Sequence, residues 1–259
     1  MIFDTHVHLG DEALYERLEN VLNAARENGV GKMMTLGIDR ESGERAMKIA
    51  REHDGVYAAI GFHPSEAHKI TEEDFVWLKD NLDDPSVVAI GEIGLDFYWD
   101  DTYEKEQKDV FKRQIELANR NHMPILVHMR DAVKATMDTL KSFKDPETTG
   151  IMHCYSGSVE SMHRFVDLNM FIALGGPVTF KNAKTPKEVA KAIPDGRLLV
   201  ETDAPFLAPH PHRGETNEPK LIVHTIETIA DLRGVDKRTL EKVTYDNALK
   251  LFDLGEVTG

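Results

Sequence analysis

The chain has 259 residues, 41% of them hydrophobic, with 45 acidic and 31 basic side chains and a formal charge of −14. This length suits one large α/β domain or two small ones, and a composition not enriched in Gly or Pro argues against a disordered or fibrous chain. So acidic a surface repels phosphate backbones and argues against extended duplex binding through a basic face, so a nucleic-acid substrate would have to be gripped locally, by metal ions and a few cations.

The N-terminal MIFDTHVHL is strand-like, with no basic region and no cleavable apolar segment, and no apolar run is long enough to span a bilayer. The single cysteine, Cys154, allows no intramolecular disulfide and suits a reducing compartment. The expected location is the cytoplasm. Along the chain, strand-like runs at Ile2–His8, Lys32–Leu36, Val56–Gly61, Val87–Gly91, Ile125–His128, Gly150–His153, Met170–Leu174 and Leu198–Val200 alternate with helical patterns. The helical patterns cover Asp11–Asn28, Arg40–His53, Glu72–Asn81, Thr102–Asn121, Asp131–Ser142, Val159–Leu168 and Pro186–Ile193, and two more, Glu218–Arg233 and Lys237–Phe252, close the chain. In the first, Leu14, Leu18, Val21, Leu22 and Ala25 recur at helical spacing. Regular alternation with about eight strands predicts an α/β fold, a closed (β/α)₈ TIM barrel forming a single domain over residues 1–259. The competing open doubly wound sheet lacks the Gly-rich phosphate loop that should follow its first strand.

The first strand ends in DTHVH, so His6 and His8 share one face. Glu92 follows a buried apolar run in VVAIGEIGLD, His128 ends PILVHMR, His153 ends the run in GIMHCYSG, and Glu201 and Asp203 share a face in LLVETDAP. Burying these groups unpaired is costly. In a (β/α)₈ barrel the strand C-termini meet at one mouth, where divalent cations are the natural common partner. The candidates outnumber the ligands of one tetrahedral ion, so a two-metal centre fits them better.

The motifs DTHVH, GFHP, GEIGLD, HMRDA, HCYSG and ETDAP, in that order, with the later GGPVTFKNA, RGETNEP and NALKLF, resemble the TatD family of metal-dependent deoxyribonucleases within the amidohydrolase superfamily. The resemblance implies His6, His8 and Asp203 on one metal, His128 and His153 on the other, and Glu92 bridging them. Two divalent ions, Zn²⁺, Mn²⁺ or Mg²⁺, would activate a shared water, and Asp203 would take its proton and return it to the leaving group. The implied substrate is DNA, at ends or in single strands. A small ester, lactone or amide is the alternative, and a non-catalytic metal-stabilised scaffold is the least favoured, because the expected site is open.

Around this set, His63 in GFHP either contacts a phosphate or the leaving group or is a turn residue before Pro64. Arg130 either forks onto phosphate or pairs with Asp131 or another neighbour. Glu201 orients a ligand histidine or water, or else forms a salt bridge. Strand alternation turns Cys154 away from the mouth as a core residue. His210 and His212, in PHPHRG, sit near the mouth but read as ordinary loop histidines. Phe97, Tyr98 and Trp99 read as a packed loop anchor rather than a platform for a base.

Overall fold

In the computed structural model, residues 1–98, 102–143 and 148–255 are described. Eight strands, β1 (Ile2–Val7), β2 (Val30–Gly37), β3 (Val56–Ile60), β4 (Val87–Asp96), β5 (Ile125–Arg130), β6 (Gly150–Met152), β7 (Met170–Leu174) and β8 (Leu198–Val200), form one sheet in sequential order with every ladder parallel. The helices are α1 (Glu12–Tyr15), α2 (Leu18–Glu27), α3 (Arg40–Glu52), α4 (Glu72–Asn81), α5 (Glu104–Arg120), α6 (Val133–Ser142), α7 (Val159–Asp167), α8 (Lys184–Ala192), α9 (Ile222–Arg233) and α10 (Lys237–Leu251). The (β/α)₈ barrel expected from the alternation is the observed fold. No described helix is long and apolar enough to cross a membrane.

Helix starts follow local chemistry. Asp39 and Ser42 form a reciprocal capping box on α3, Thr71 and Asp74 do the same on α4, and Asp236 caps α10. The periodic stretch expected as one helix over Asp11–Asn28 is two, α1 and α2. The chain leaves helical geometry at Arg17 (φ −130°), whose side chain donates back to the Ala13 carbonyl and across to the Glu218 carboxylate. That tertiary ion pair overrides local periodicity.

Two apolar layers enclose the sheet. Between sheet and helices lies a large layer including Ile2, Val7, Ile90 and Ile93. The barrel interior is filled by Phe3, Met34, Leu36, Ala59, Ala89, Leu126, Ile151, Phe171 and Leu199, and Leu249 and Phe252 near the end of α10 join that cluster, with the Phe3 and Phe252 rings 5.6 Å apart. The polar residues stand directly above this apolar floor. On β5, β6 and β8 the step is two residues, from Leu126 to His128, Ile151 to His153 and Leu199 to Glu201, as simple alternation requires.

On β1 and β4 alternation fails by one residue. Asp4 and Val7 pair with Met33 and Thr35, and Ile90 and Ile93 pair with Ile125 and Val127, so each of these strands carries an extra residue against its neighbour. The bulge lets Phe3 and His6, and likewise Ala89 and Glu92, face inward although they are three apart.

The seam between β8 and β1 is closed by a few specific bonds. His8 N–H donates to the Ala204 carbonyl (2.8 Å), Asp203 N–H to that of His6 (2.9 Å), and the Thr5 hydroxyl to that of Val200 (3.1 Å). The buried Asp4 carboxylate accepts from the backbone N–H (2.9 Å) and hydroxyl (2.6 Å) of Thr202 and from His6 N–H (3.3 Å).

Gly94 pairs in register with His128 and has φ +142°, and a Cβ there would lie 2.0 Å from the His128 carbonyl oxygen. Any side chain must force β4 and β5 apart. Gly94→Ala is expected to lower unfolding free energy by roughly 2–4 kcal/mol in urea titration; a loss below about 0.5 kcal/mol, the range of a neutral surface change, would show that the strands separate at little cost.

Candidate metal centre

The barrel mouth gathers His6 and His8 from the β1 end, Glu92 and Asp96 from β4, His128 from β5, and His153, Glu201 and Asp203 from the segments following β6 and β8. His63, which begins the turn after β3, joins them. Their mutual distances separate into two sets.

In the first, His6 Nε2 lies 3.3 Å from His8 Nε2, 3.4 Å from Glu92 Oε2 and 3.7 Å from Asp203 Oδ1. His8 Nε2 lies 3.4 Å from Asp203 Oδ1 and 3.9 Å from Glu92 Oε2. Four donors held 2.0–2.2 Å from one tetrahedral ion stand about 3.3–3.6 Å apart, close to what is seen here. The second set surrounds the other oxygen of Glu92. Oε1 lies 2.7 Å from His128 Nδ1, 3.1 Å from His153 Nε2 and 3.8 Å from His63 Nε2. The two carboxylate oxygens thus face different groups of ring nitrogens.

The outer hydrogen bonds orient the rings. His128 Nε2 bonds to Asp96 Oδ2 at 3.0 Å, leaving Nδ1 to face Glu92. His153 Nδ1 bonds to Glu201 Oε1 at 3.2 Å, leaving Nε2 to face Glu92. The same Glu201 oxygen accepts from Cys154 N–H at 2.6 Å. In this cluster His6 Nδ1 and Glu201 Oε2 are buried without a hydrogen-bond partner among the described residues, and His6, His153 and Glu201 form a third close cluster with ligand-type atoms within 4.8 Å of one another. The His6 and His153 rings stack at 3.7 Å. Such outer carboxylates fix the tautomer and aim of metal-binding imidazoles.

Burial works against charge throughout, and the neighbours decide the outcome. Burial disfavours ionised Glu92, yet His153, His6 and His128 outweigh it and hold the carboxyl well below the usual carboxylate range. Burial also opposes protonation of His153, but Glu201 and Glu92 raise its pKa well above the usual imidazole value. Asp203 is likewise held low, its burial offset first by the hydrogen bond from His8. His63 differs: burial lowers its pKa to about 4, with Glu92 opposing. Its Nδ1 accepts from the Ser65 backbone N–H at 3.2 Å, so the neutral ring carries its proton on Nε2, facing Glu92. Burial pushes Asp4 up to about 7.

The sequence-derived set of His6, His8, Glu92, His128, His153 and Asp203 therefore converges, with Glu201 directly behind His153. His63 caps the turn before Pro64, and its Nε2 also faces the cluster, 3.8 Å from Glu92 Oε1. Arg130, in register with Asp96 and two residues beyond His128, is exposed at the rim, its guanidinium 3.7 Å from the centroid of the Tyr98 ring. Tyr98 is 52% exposed, so it is no packed anchor, while Phe97 does pack against the core; Trp99 lies outside the described residues. Cys154 is half-buried rather than in the core. β6 ends at Met152 and the backbone turns left-handed at Cys154 (φ +42°), so strand alternation no longer governs it; burial and then Asp203 push its thiol pKa up. It belongs to none of the metal-competent clusters of described residues. Asp96 and Asp4 were not singled out from sequence. Asp96 was findable, since it lies four residues past Glu92 on one face of the same strand, whereas Asp4 gave no signal beyond its place in DTHVH.

A (β/α)₈ barrel that gathers these histidines and carboxylates at its strand ends is built as a metal-dependent hydrolase. The chain belongs to the TatD family: the family model described as TatD related DNase matches residues 3–253. It is 45% identical over 252 residues to YabD of Bacillus subtilis, described as an uncharacterized metal-dependent hydrolase, covering 97% of this chain and 99% of that one. A Mycobacterium tuberculosis relative of the same description, TatD, is 33% identical, covering 97% of this chain and 98% of that protein. The crystal structure of YJJV, a TatD homologue from Escherichia coli, superposes with a TM-score of 0.94 at 30% identity, covering 98% of each chain.

Chelator-stripped protein leaves these carboxylates and imidazoles facing one another without a cation. Restoring Zn²⁺ or Mn²⁺ at 100 times its dissociation constant is expected to add about 2.7 kcal/mol of stability per site, seen as a rise in calorimetric Tm. No shift with any divalent cation would count against metal binding at these clusters.

Proposed function

We propose that the chain is a deoxyribonuclease that hydrolyses phosphodiester bonds of DNA, at ends or in single strands, in an exonuclease-like manner with two divalent ions. The observation that carries this reading is the Glu92 carboxylate, whose two oxygens face separate donor sets. The donor chemistry supports it: histidine nitrogens and carboxylates suit Zn²⁺ or Mn²⁺, while a bridging carboxylate and phosphate substrate also admit Mg²⁺. The family description supports a DNA substrate. His6, His8 and Asp203 would hold one ion, His128 and His153 the other, with Glu92 shared. When bound, such ions bring the pKa of a water down toward ~7 and neutralise charge on phosphoryl oxygens.

The chain's own residues account for the remaining steps. Asp203 is half-buried at the mouth and held ionised, so it can take a proton from the attacking water and return it to the departing oxygen. Neutral His63, its proton on Nε2, donates to a phosphoryl or leaving oxygen. Arg130 presents its planar fork at the rim, where it can hold non-bridging oxygens. Glu201 holds His153, and Asp96 holds His128, in the orientation that turns the opposite ring nitrogen inward. A cytoplasmic location fits the lone cysteine.

Metal-reconstituted protein is expected to shorten end-labelled single-stranded DNA on denaturing gels. Asp203→Asn should reduce the rate roughly 10²–10⁴-fold. Hydrolysis of model esters or lactones with no DNA cleavage by any metal form would replace this reading with a carbonyl-centre hydrolase. A separate expectation concerns Glu201→Gln, which should weaken metal binding about 10–100-fold by calorimetric titration while the circular-dichroism spectrum stays unchanged. Unaltered affinity would leave Glu201 with a structural role alone.

A further inference from the structure

Beyond the metal centre, a cavity of about 580 Å³ opens between the β7–α8 loop and the loop that follows β8, lined by Phe180, Lys181, Asn182, Ala183, His210 and Arg213. The loops after the seventh and eighth strands are where (β/α)₈ barrels often hold phosphate. Here the two loops are tied together. His210 N–H donates to the Thr179 hydroxyl at 2.7 Å, and that hydroxyl donates to the Gly176 carbonyl at 2.7 Å. Gly176 lies so close beneath Leu207 that a Cβ would stand 2.0 Å from the Leu207 carbonyl oxygen. Buried Asn217 anchors the far end, donating to the Thr202 and Phe206 carbonyls at 2.9 and 2.7 Å. The cavity walls are thus preorganised.

Its chemistry is cationic and aromatic in a chain of net charge −14. The Arg213 guanidinium lies 4.5 Å from the Phe180 ring centroid, Lys181 and Asn182 are exposed, and His210 is exposed opposite them. Among the described residues, neither Lys181 nor Arg213 has an ion-pair partner. The loop after β8 that supplies one wall of the cavity also borders the metal centre. Phe206 donates its N–H to the Asp203 carbonyl at 2.9 Å, its ring meets that of His8 edge-on at 5.8 Å, and it remains 52% exposed. An exposed apolar ring beside the metal cluster, on the same loop as Arg213 and its stack on Phe180, offers an aromatic face and a phosphate-binding cation, the pairing that single-stranded nucleic acid requires.

We propose that this cavity is a second nucleotide subsite: Arg213 and Lys181 hold the phosphodiester adjoining the one being cleaved, and the base between them stacks on Phe206. The ligand is a single-stranded nucleic acid. The inference rests on the nuclease reading, and it supplies the local cationic grip that so acidic a chain needs.

The test is fluorescence-anisotropy binding of a phosphorothioate-linked oligothymidylate decamer, and of the matching dinucleotide, to the metal-loaded protein at several salt concentrations. Arg213→Ala is expected to weaken decamer binding roughly tenfold, to weaken dinucleotide binding much less, and to reduce the slope of log K against log salt by about 0.7, because one phosphate is no longer neutralised. Phe206→Ala should abolish the quenching of a 2-aminopurine placed next to the terminal nucleotide. Lys48→Ala, which removes an exposed charge on α3, is the control and should change none of these values. If Arg213→Ala and Lys181→Ala bind the decamer as the wild type does, with the same salt slope, the subsite is wrong; continued DNA shortening by the wild type would then leave the nuclease reading standing. If the wild type neither binds the decamer nor shortens DNA, both fall together.

Discussion

Glu92 sits among imidazoles from four directions, and much of the barrel's upper layer serves to keep its two oxygens apart in what they face. One oxygen meets His6 and His8, the other His128, His153 and His63. Glu92 is nearly inaccessible to solvent, so its interactions are weakly screened, and every neighbour that leaves its place changes the electrostatics of the others. This explains the outer ring of acceptors. Asp96 and Glu201 each hold a histidine by its far nitrogen, and Asp4 ties the backbone of His6 to Thr202 across the seam.

The same constraint explains two irregularities in the sheet. An ideally alternating β1 would send His6 to the opposite face from Phe3, and an ideally alternating β4 would send Glu92 to the opposite face from Ala89. Each strand absorbs one extra residue and so fills both the apolar floor and the polar layer above it. Gly94 meets a further demand on β4, passing close to the His128 carbonyl where any side chain would collide. The floor is itself packed by Leu249 and Phe252 at the end of α10, so a segment that contributes nothing to the site supports it from below.

Charge is distributed with the same economy. The chain is acidic overall, yet the β4–β5 rim carries Arg130 stacked on Tyr98 and the β7–β8 rim carries Arg213 stacked on Phe180. These two arginines on aromatic rings add local cationic character at the mouth, beside a cluster of carboxylates.

The sequence by itself determined the strand–helix alternation, the barrel class and the convergence of His6, His8, Glu92, His128, His153 and Asp203, because apolar periodicity and the placement of polar residues at strand ends are local patterns. Tertiary structure alone decided the rest. The break between α1 and α2 depends on Arg17 reaching Glu218, 201 residues away in sequence. The pairing of exposed Tyr98 with Arg130 and the half-burial of Cys154, on a left-handed turn past the end of β6, are likewise tertiary features. The bulges that aim His6 and Glu92 are relations between neighbouring strands, invisible in either strand alone. The partition of Glu92 between two donor sets is a matter of ångströms among side chains from different strands, and only the closed barrel sets those distances.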